Sequence, residues 1–269
     1  MDLSGRTAVV TGAASGIGRA VAGSLARRGC HLALADIDGD GLDTAAAELR
    51  GHGVRVSAHR LDVADRAAVA ALPEAVAAAH GGADVVVNNA GVEVAGPFER
   101  ISEADFEWLF EINFWGVVRM TRAFLPLLRA SDDARVVNVS SIFGVIAPPE
   151  EVPYVSSKFA VRGFSMALGH ELAGTSVGVT VVHPGGVATN IAIKARVPEG
   201  TSEAEAAKRQ AHARALLTMP PERAGEIIVR GVERRKARIF VGADAKAAAL
   251  LERLAPVGYW SVLRRRMPR

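Results

Sequence analysis

The chain is 269 residues long and 49% hydrophobic, enough to bury a sizeable core within the length at which α/β folds run as one domain. Its 32 basic and 29 acidic residues leave a formal charge of only +3, so the pI of 9.3 does not argue for a nucleic-acid partner. A lone cysteine, Cys30, excludes an internal disulfide, and no apolar run approaches the roughly 18 residues of a spanning helix.

The N-terminus enters a strand-like run without a signal-peptide pattern, which together with the single thiol predicts a soluble, cytoplasmic protein. β-rich runs occupy residues 7–11, 31–36, 54–61, 84–88, 135–140, 177–183 and 238–241, and several are apolar almost throughout, as strands covered on both faces are. Helical candidates lie near 16–28, 39–50, 65–80, 102–129, 154–173 and 221–235. This alternation predicts one domain over 1–269, a doubly wound α/β fold of the Rossmann type. About seven parallel strands carry helices on both faces through right-handed crossovers. Pro126 is expected to kink or end the fourth helix. Residues 190–220 interrupt the alternation with a helix at 202–217, past the carboxyl end of strand six, where a lid would sit; a plain surface helix is the alternative. The tail near 243–269 is amphipathic, with Tyr259 beside Trp260 and Arg264, Arg265, Arg266 and Arg269 at its end. Packing on its own subunit or a partner is expected in preference to an anionic membrane surface.

The turn after the first strand reads Thr11-Gly12-Ala13-Ala14-Ser15-Gly16-Ile17-Gly18. Glycines let the backbone turn tightly and let a pyrophosphate approach, while the helix that follows offers free N–H groups and a positive dipole end. By themselves these glycines suit a structural turn equally well. Asp36 at the end of the second strand adds a carboxylate placed to accept hydrogen bonds from ribose hydroxyls and repel a 2′-phosphate. Neither Ser15 nor Ile37 brings a cation for such a phosphate, so NAD is expected over NADP.

Tyr154 and Lys158, in Tyr-Val-Ser-Ser-Lys, fall on one face of a helix. A positive charge about 4 Å from a phenol is worth roughly 4 kcal/mol at an effective dielectric near 20, enough to lower the phenol from about 10 toward about 7. A group poised there moves protons well. Upstream, where an apolar strand meets a loop, Ser141 is placed to meet the phenol, while Ser140 belongs to the strand end. The seven histidines show no metal-ligand spacing, so no metal is expected, and neither serine lies in the Gly-x-Ser-x-Gly of a hydrolase.

Taken together these motifs resemble the short-chain dehydrogenase/reductase family, in its compact NAD-preferring branch. The cofactor loop is residues 11–18, Asn88-Asn89-Ala90-Gly91 follows the fourth strand, and Asn113 stands in Ile-Asn-Phe-Trp-Gly. Ser141, Tyr154 and Lys158 match the catalytic residues, and Pro184-Gly185-Gly186-Val187-Ala188-Thr189 matches the nicotinamide loop. The resemblance implies NAD held by Gly12, Ser15, Gly16, Ile17, Gly18, Asp36 and Ile37, with Asp62 and Val63 at the adenine. It further implies Asn89, Ala90 and Gly91 along the adenosine ribose, and Pro184, Gly185, Val187 and Thr189 around the nicotinamide. Tyr154 would act as general acid/base, Lys158 would stabilise its phenolate and hold the nicotinamide ribose, Ser141 would orient the substrate oxygen, and Asn113 would hold a proton-relaying water. Homodimers or homotetramers through helices four and five are the usual assemblies.

The substrate would meet Ser141, Phe143 and Tyr154, with Ile142, Val145, Ile146, Pro148 and Pro149 making an apolar wall. A hydrophobic secondary alcohol or ketone, of steroid, retinoid-like or fatty-alcohol type, is therefore expected. Glu93, Glu150 and Glu151 leave a polar substrate open. The alternatives are an NADPH-dependent carbonyl reductase and a non-catalytic NAD-binding sensor.

Overall fold

The computed structural model describes residues 1–264; of the basic tail end, Arg265, Arg266 and Arg269 lie outside the described residues. In chain order the elements are β1 (Thr7–Thr11), α1 (Gly16–Ala26), β2 (His31–Asp36), α2 (Gly39–Arg50), β3 (Val56–Arg60) and α3 (Arg66–His80). There follow β4 (Val85–Asn88), α4 (Glu103–Phe110), α5 (Gly116–Ala130), β5 (Ala134–Val139), α6 (Val152–Glu171) and β6 (Val177–Pro184). The remainder is α7 (Glu203–Leu216), α8 (Pro221–Glu233), β7 (Arg238–Val241), α9 (Ala243–Leu254) and α10 (Tyr259–Leu263).

All seven strands are parallel, in the order β3-β2-β1-β4-β5-β6-β7. Neighbouring residues on a strand point to opposite faces, so the apolar runs seal two cores. Val10 and Leu34 meet Leu25 and Ile228 from α1 and α8, while Val9, Val86 and Val136 meet Val76 and Phe124 from α3 and α5. The chain runs outward from β1 to β3 and returns to β4 beside β1, which opens a crevice at the carboxyl ends of β1 and β4.

The expected helix at 102–129 is interrupted: a π-helical turn, Glu111–Trp115, separates α4 from α5. Pro126 does not end the helix, which continues to Ala130. Pro126 forfeits one ladder bond, and burial of Phe124 and Leu128 on either side of it holds the helix together. The break falls instead at Asn113, whose buried amide is bonded outside the helix. Such turns concentrate at functional sites.

Candidate active site

The glycine loop is pinned at the crevice by Thr11 and Asn89. The Thr11 hydroxyl accepts from the main-chain N–H of Asn89 and of Ala90, both at 3.0 Å, and Asn89 Nδ2 donates to the carbonyls of Thr11 (3.0 Å) and Gly12 (3.2 Å). This close approach dictates two glycines. A Cβ on Gly18 would lie 2.0 Å from the Gly12 carbonyl oxygen, and Gly12 (φ +66°) would set one 2.7 Å from Asn89 Nδ2. Helix α1 then begins at Gly16, and the Ser15 hydroxyl makes no cap bond while the first turn carries no acid. Its N–H groups and dipole are thus left for an anionic ligand. Asp36 closes the rim, one oxygen accepting from Ala14 N (2.9 Å) and the other from Asp38 N (3.0 Å). Ile37 is exposed, as is Asp62, which accepts from Ala64 N at 2.8 Å; Asp65, not Asp62, caps α3. Val63 is buried against Gly116. Arg60, which the sequence did not bring into view, pairs in register with Asp36 and leans toward the start of α2.

The opposite rim is the turn after β6. Thr189 lies against Gly16, 3.2 Å from where a Cβ on that glycine would sit, so the two loops meet. Asp244 at the start of α9 accepts from Gly186 N at 2.7 Å, and a Cβ on Gly185 would come 2.2 Å from the same carboxylate. The tail thereby shapes the loop holding Val187 and Thr189, a role that no local motif announces.

Helix α6 carries Tyr154 and Lys158 inward, 8% and 3% exposed. Lys158 Nζ sits 5.4 Å from the centre of the phenol ring and donates to Val139 O at 3.2 Å. The expected lowering of the phenol is not found. Burial raises Tyr154 well above the ordinary tyrosine value and Glu93 and Glu151 add to the rise, against the lowering effect of the Ser141 hydroxyl. The ammonium lies over the ring, and burial itself lowers Lys158 to about 8, opposed by Glu93. Of the two serines, Ser140 donates to the Lys158 carbonyl at 2.8 Å and ties β5 to α6, which leaves Ser141 as the one facing the phenol. Behind Ser141, the His183 ring is stacked on Phe240 with Nδ1 2.8 Å from the Ser141 carbonyl oxygen. Burial holds His183 down to about 4, so it stays neutral and donates.

Asn113 is fully buried: Oδ1 accepts from Val92 N (2.8 Å) and Nδ2 donates to Val92 O (2.9 Å) and Ser157 Oγ (3.3 Å). Its amide therefore fixes the segment after β4. A Cβ on Gly91 would lie 3.1 Å from Asn113 Oδ1 and 3.5 Å from Lys158 Nζ, so that glycine lets the three elements close up. Asn88 is structural, donating to Thr121 Oγ1 (3.0 Å) and Asn138 Oδ1 (2.8 Å).

Around the phenol an apolar cluster gathers Val94 and Leu109 with Val92, Trp108, Phe143 and Ile191, the Phe143 ring edge-on to Tyr154 at 6.2 Å. The segment before α7 is stitched to the loop after β4 by Arg196 N to Glu93 O (2.9 Å) and Ala95 N to Arg196 O (3.0 Å). Arg209 of α7 meets Glu150 at 2.7 Å. The tail packs on its own chain: Tyr259 and Leu263 join Ile142, Val145 and Ile146, and the Tyr259 hydroxyl accepts from Ala147 N at 2.9 Å. Among the described residues no group of three or more His, Cys, Asp or Glu is placed to hold a metal, and no helix is long and apolar enough to cross a membrane.

Comparison with known proteins gives this geometry a context. The family model described as short chain dehydrogenase matches residues 6–200. A protein named as oxidoreductase SadH, from Mycobacterium tuberculosis, is 44% identical over 257 residues, covering 95% of this chain and 92% of its own. Oxidoreductase UcpA of Escherichia coli is 39% identical over 191 residues, 71% of this chain and 72% of its own. A short chain dehydrogenase/reductase from Burkholderia phymatum, solved in complex with NAD, superposes with a TM-score of 0.86 at 31% identity over 95% of both chains. A metagenomic short-chain oxidoreductase in complex with NADP reaches 0.65 at 34% identity over 70% of this chain and 85% of its own. The chain belongs to the short-chain dehydrogenase family and is an oxidoreductase.

Proposed function

We propose that this oxidoreductase transfers hydride between NAD(H) and an apolar secondary alcohol or ketone, with Tyr154 handling the proton. The observation that carries this reading is the convergence of the Tyr154 phenol, the Ser141 hydroxyl and the Lys158 ammonium within an apolar cluster beside the loop after β4 that pins the glycine turn. The chain fits a dinucleotide. The uncapped start of α1 suits the pyrophosphate, Asp36 the adenosine ribose, Asp62 and Val63 the adenine, and Val187 and Thr189 the nicotinamide. When bound, the nicotinamide supplies the hydride acceptor or donor. Tyr154 exchanges the hydroxyl proton at its phenolic oxygen, Ser141 orients the substrate oxygen, and Lys158 supports the phenolate as it forms.

Because Tyr154 is held protonated, alcohol oxidation is expected to accelerate as pH rises, whereas ketone reduction is favoured at lower pH. Glu93→Gln removes a charge that raises the phenol, so it moves the rising limb of kcat/KM for oxidation toward acid. A limb unmoved in a pH-rate profile would deny Glu93 that influence.

Asp36, followed by Asp38 and Asp40, makes the adenosine end acidic and supports NAD. Arg60 in register with Asp36 favours the second reading, an NADPH-dependent carbonyl reductase. Fluorescence titration of both cofactors decides between them: NAD should bind about tenfold tighter or better, with the gap closing in Asp36→Ala. Tighter NADP binding would transfer the ribose end to Arg60. The buried Cys30 thiol, pushed up to about 12 mainly by burial, suits a reducing cytoplasm. The exposed Trp115, Phe159 and Met166 suit a homodimer or homotetramer.

A further inference from the structure

Glu151 stands at the N-cap position of α6, three residues before Tyr154, yet its side chain makes no capping bond. Its Oε2 is buried and has no hydrogen-bond partner among the described residues. The neighbouring residue goes the other way: Glu150 is exposed, adopts a left-handed φ of 64°, and pairs with Arg209 of α7 at 2.7 Å. A non-glycine residue in that region is strained, and here the strain separates two adjacent acids, one turned to α7 and one turned inward. The Glu93 charge acts on Glu151, Glu93 itself being held at its main chain by Arg196 N at 2.9 Å, and both carboxyl groups raise the Tyr154 phenol. The charge of Lys158 favours the ionised form of Glu93, and that of Arg209 the ionised form of Glu151. Burial, with Glu93 adding to it, holds the Glu151 carboxyl well above the ordinary carboxylate value, and its Oε2 lacks a hydrogen-bond partner. A buried acceptor left without one is costly, and a ligand that supplies a donor relieves that cost.

We infer that Glu151, with Glu93 beside it, accepts a hydrogen bond from a second hydroxyl carried next to the reacting carbinol, so that the preferred substrate is an apolar diol rather than a simple secondary alcohol. This rests on the proposed alcohol oxidation at Tyr154. The balanced reaction takes diol and NAD to hydroxyketone, NADH and a proton: the carbinol C–H leaves as hydride, its O–H proton passes to Tyr154, and the second hydroxyl is unchanged. The partly buried Phe143 and Ile191, packed with Val94 and Leu109 around the phenol, offer apolar surface suited to the hydrocarbon body.

The test compares kcat/KM with NAD for matched pairs: cyclohexanol and vicinal cyclohexanediol, a secondary octanol and the vicinal octanediol, tetralol and vicinal dihydroxytetralin, with aminocyclohexanol as the cationic probe. The diol is expected to lead its partner by about tenfold or more. That ratio should fall toward one in Glu151→Leu and hold in part in Glu151→Gln, whose amide oxygen still accepts; near-UV circular dichroism checks the fold of both. Equal turnover of diols and simple alcohols by the wild-type protein overturns the inference and leaves the dehydrogenase reading standing. Preference for the amino alcohol over the diol overturns it in favour of a cation site. Failure of every alcohol, with NAD bound, overturns the dehydrogenase reading and this inference with it.

Discussion

Tyr154→Phe is expected to lower kcat about a thousandfold or more while the NAD dissociation constant changes by less than about threefold. The substitution removes one oxygen and keeps the ring, so the edge-on contact with Phe143 and the place of Lys158 over the ring survive. What is lost is the group that exchanges the substrate proton, together with its interaction with Ser141. The buried phenol is carried by α6, whereas the glycine loop is built by Thr11, Asn89 and the start of α1. Binding and turnover should therefore separate. Steady-state kinetics with a cofactor titration reads both, and activity within about tenfold of the wild type would remove Tyr154 from the chemistry.

The second large effect is expected at a position with no chemistry of its own. Gly18→Ala places a methyl group 2.0 Å from the Gly12 carbonyl oxygen and 2.5 Å from Asn89 Nδ2. Backbone cannot yield as a side-chain tip can, so the loop must open and the Asn89 bonds to Thr11 and Gly12 must break. NAD affinity should fall by about a hundredfold, the worth of roughly two hydrogen bonds, with a lowered Tm. Gly163→Ala in α6 is the control: nothing lies within 4 Å of its added methyl, and alanine favours the helix by about 0.5–1 kcal/mol. Calorimetric titration of NAD, with thermal melts of both variants, checks the pair. A Gly18→Ala protein that binds NAD normally would show that the close packing does not form.

Much of the fold is written locally. Runs such as residues 7–11 and 135–140 carry valines on both faces, so strands between helices follow from pattern alone, and β5 is displaced by only one residue. The glycine loop, Asp36, Ser141, Tyr154 and Lys158 stand at the strand ends and on the helix face where local pattern puts them. What escaped is nonlocal. The π-helical turn at Glu111–Trp115 arises because Asn113 reaches Val92 and Ser157, residues that no window around it contains. Asp244 holds Gly186 from nearly sixty residues away, and Arg60 joins Asp36 only through sheet register. The tyrosine pKa was misjudged for a related reason. The spacing of Tyr154 and Lys158 supplied the cation but not the burial of both, nor the inward turn of Glu93 and Glu151. Apolar composition likewise points to packing for the tail, but only the contact of Tyr259 with Ala147 shows that it braces the loop after Ser141.

The central claim is hydride transfer from a carbinol carbon, and isotope transfer tests it most directly. The protein is incubated with NAD and secondary alcohols and diols deuterated at the carbinol carbon, and the reduced cofactor is read by mass spectrometry. Deuterium in the nicotinamide of NADH, absent in Tyr154→Phe, is the predicted result. Reduced cofactor without deuterium, or transfer undiminished in the phenylalanine variant, would contradict it.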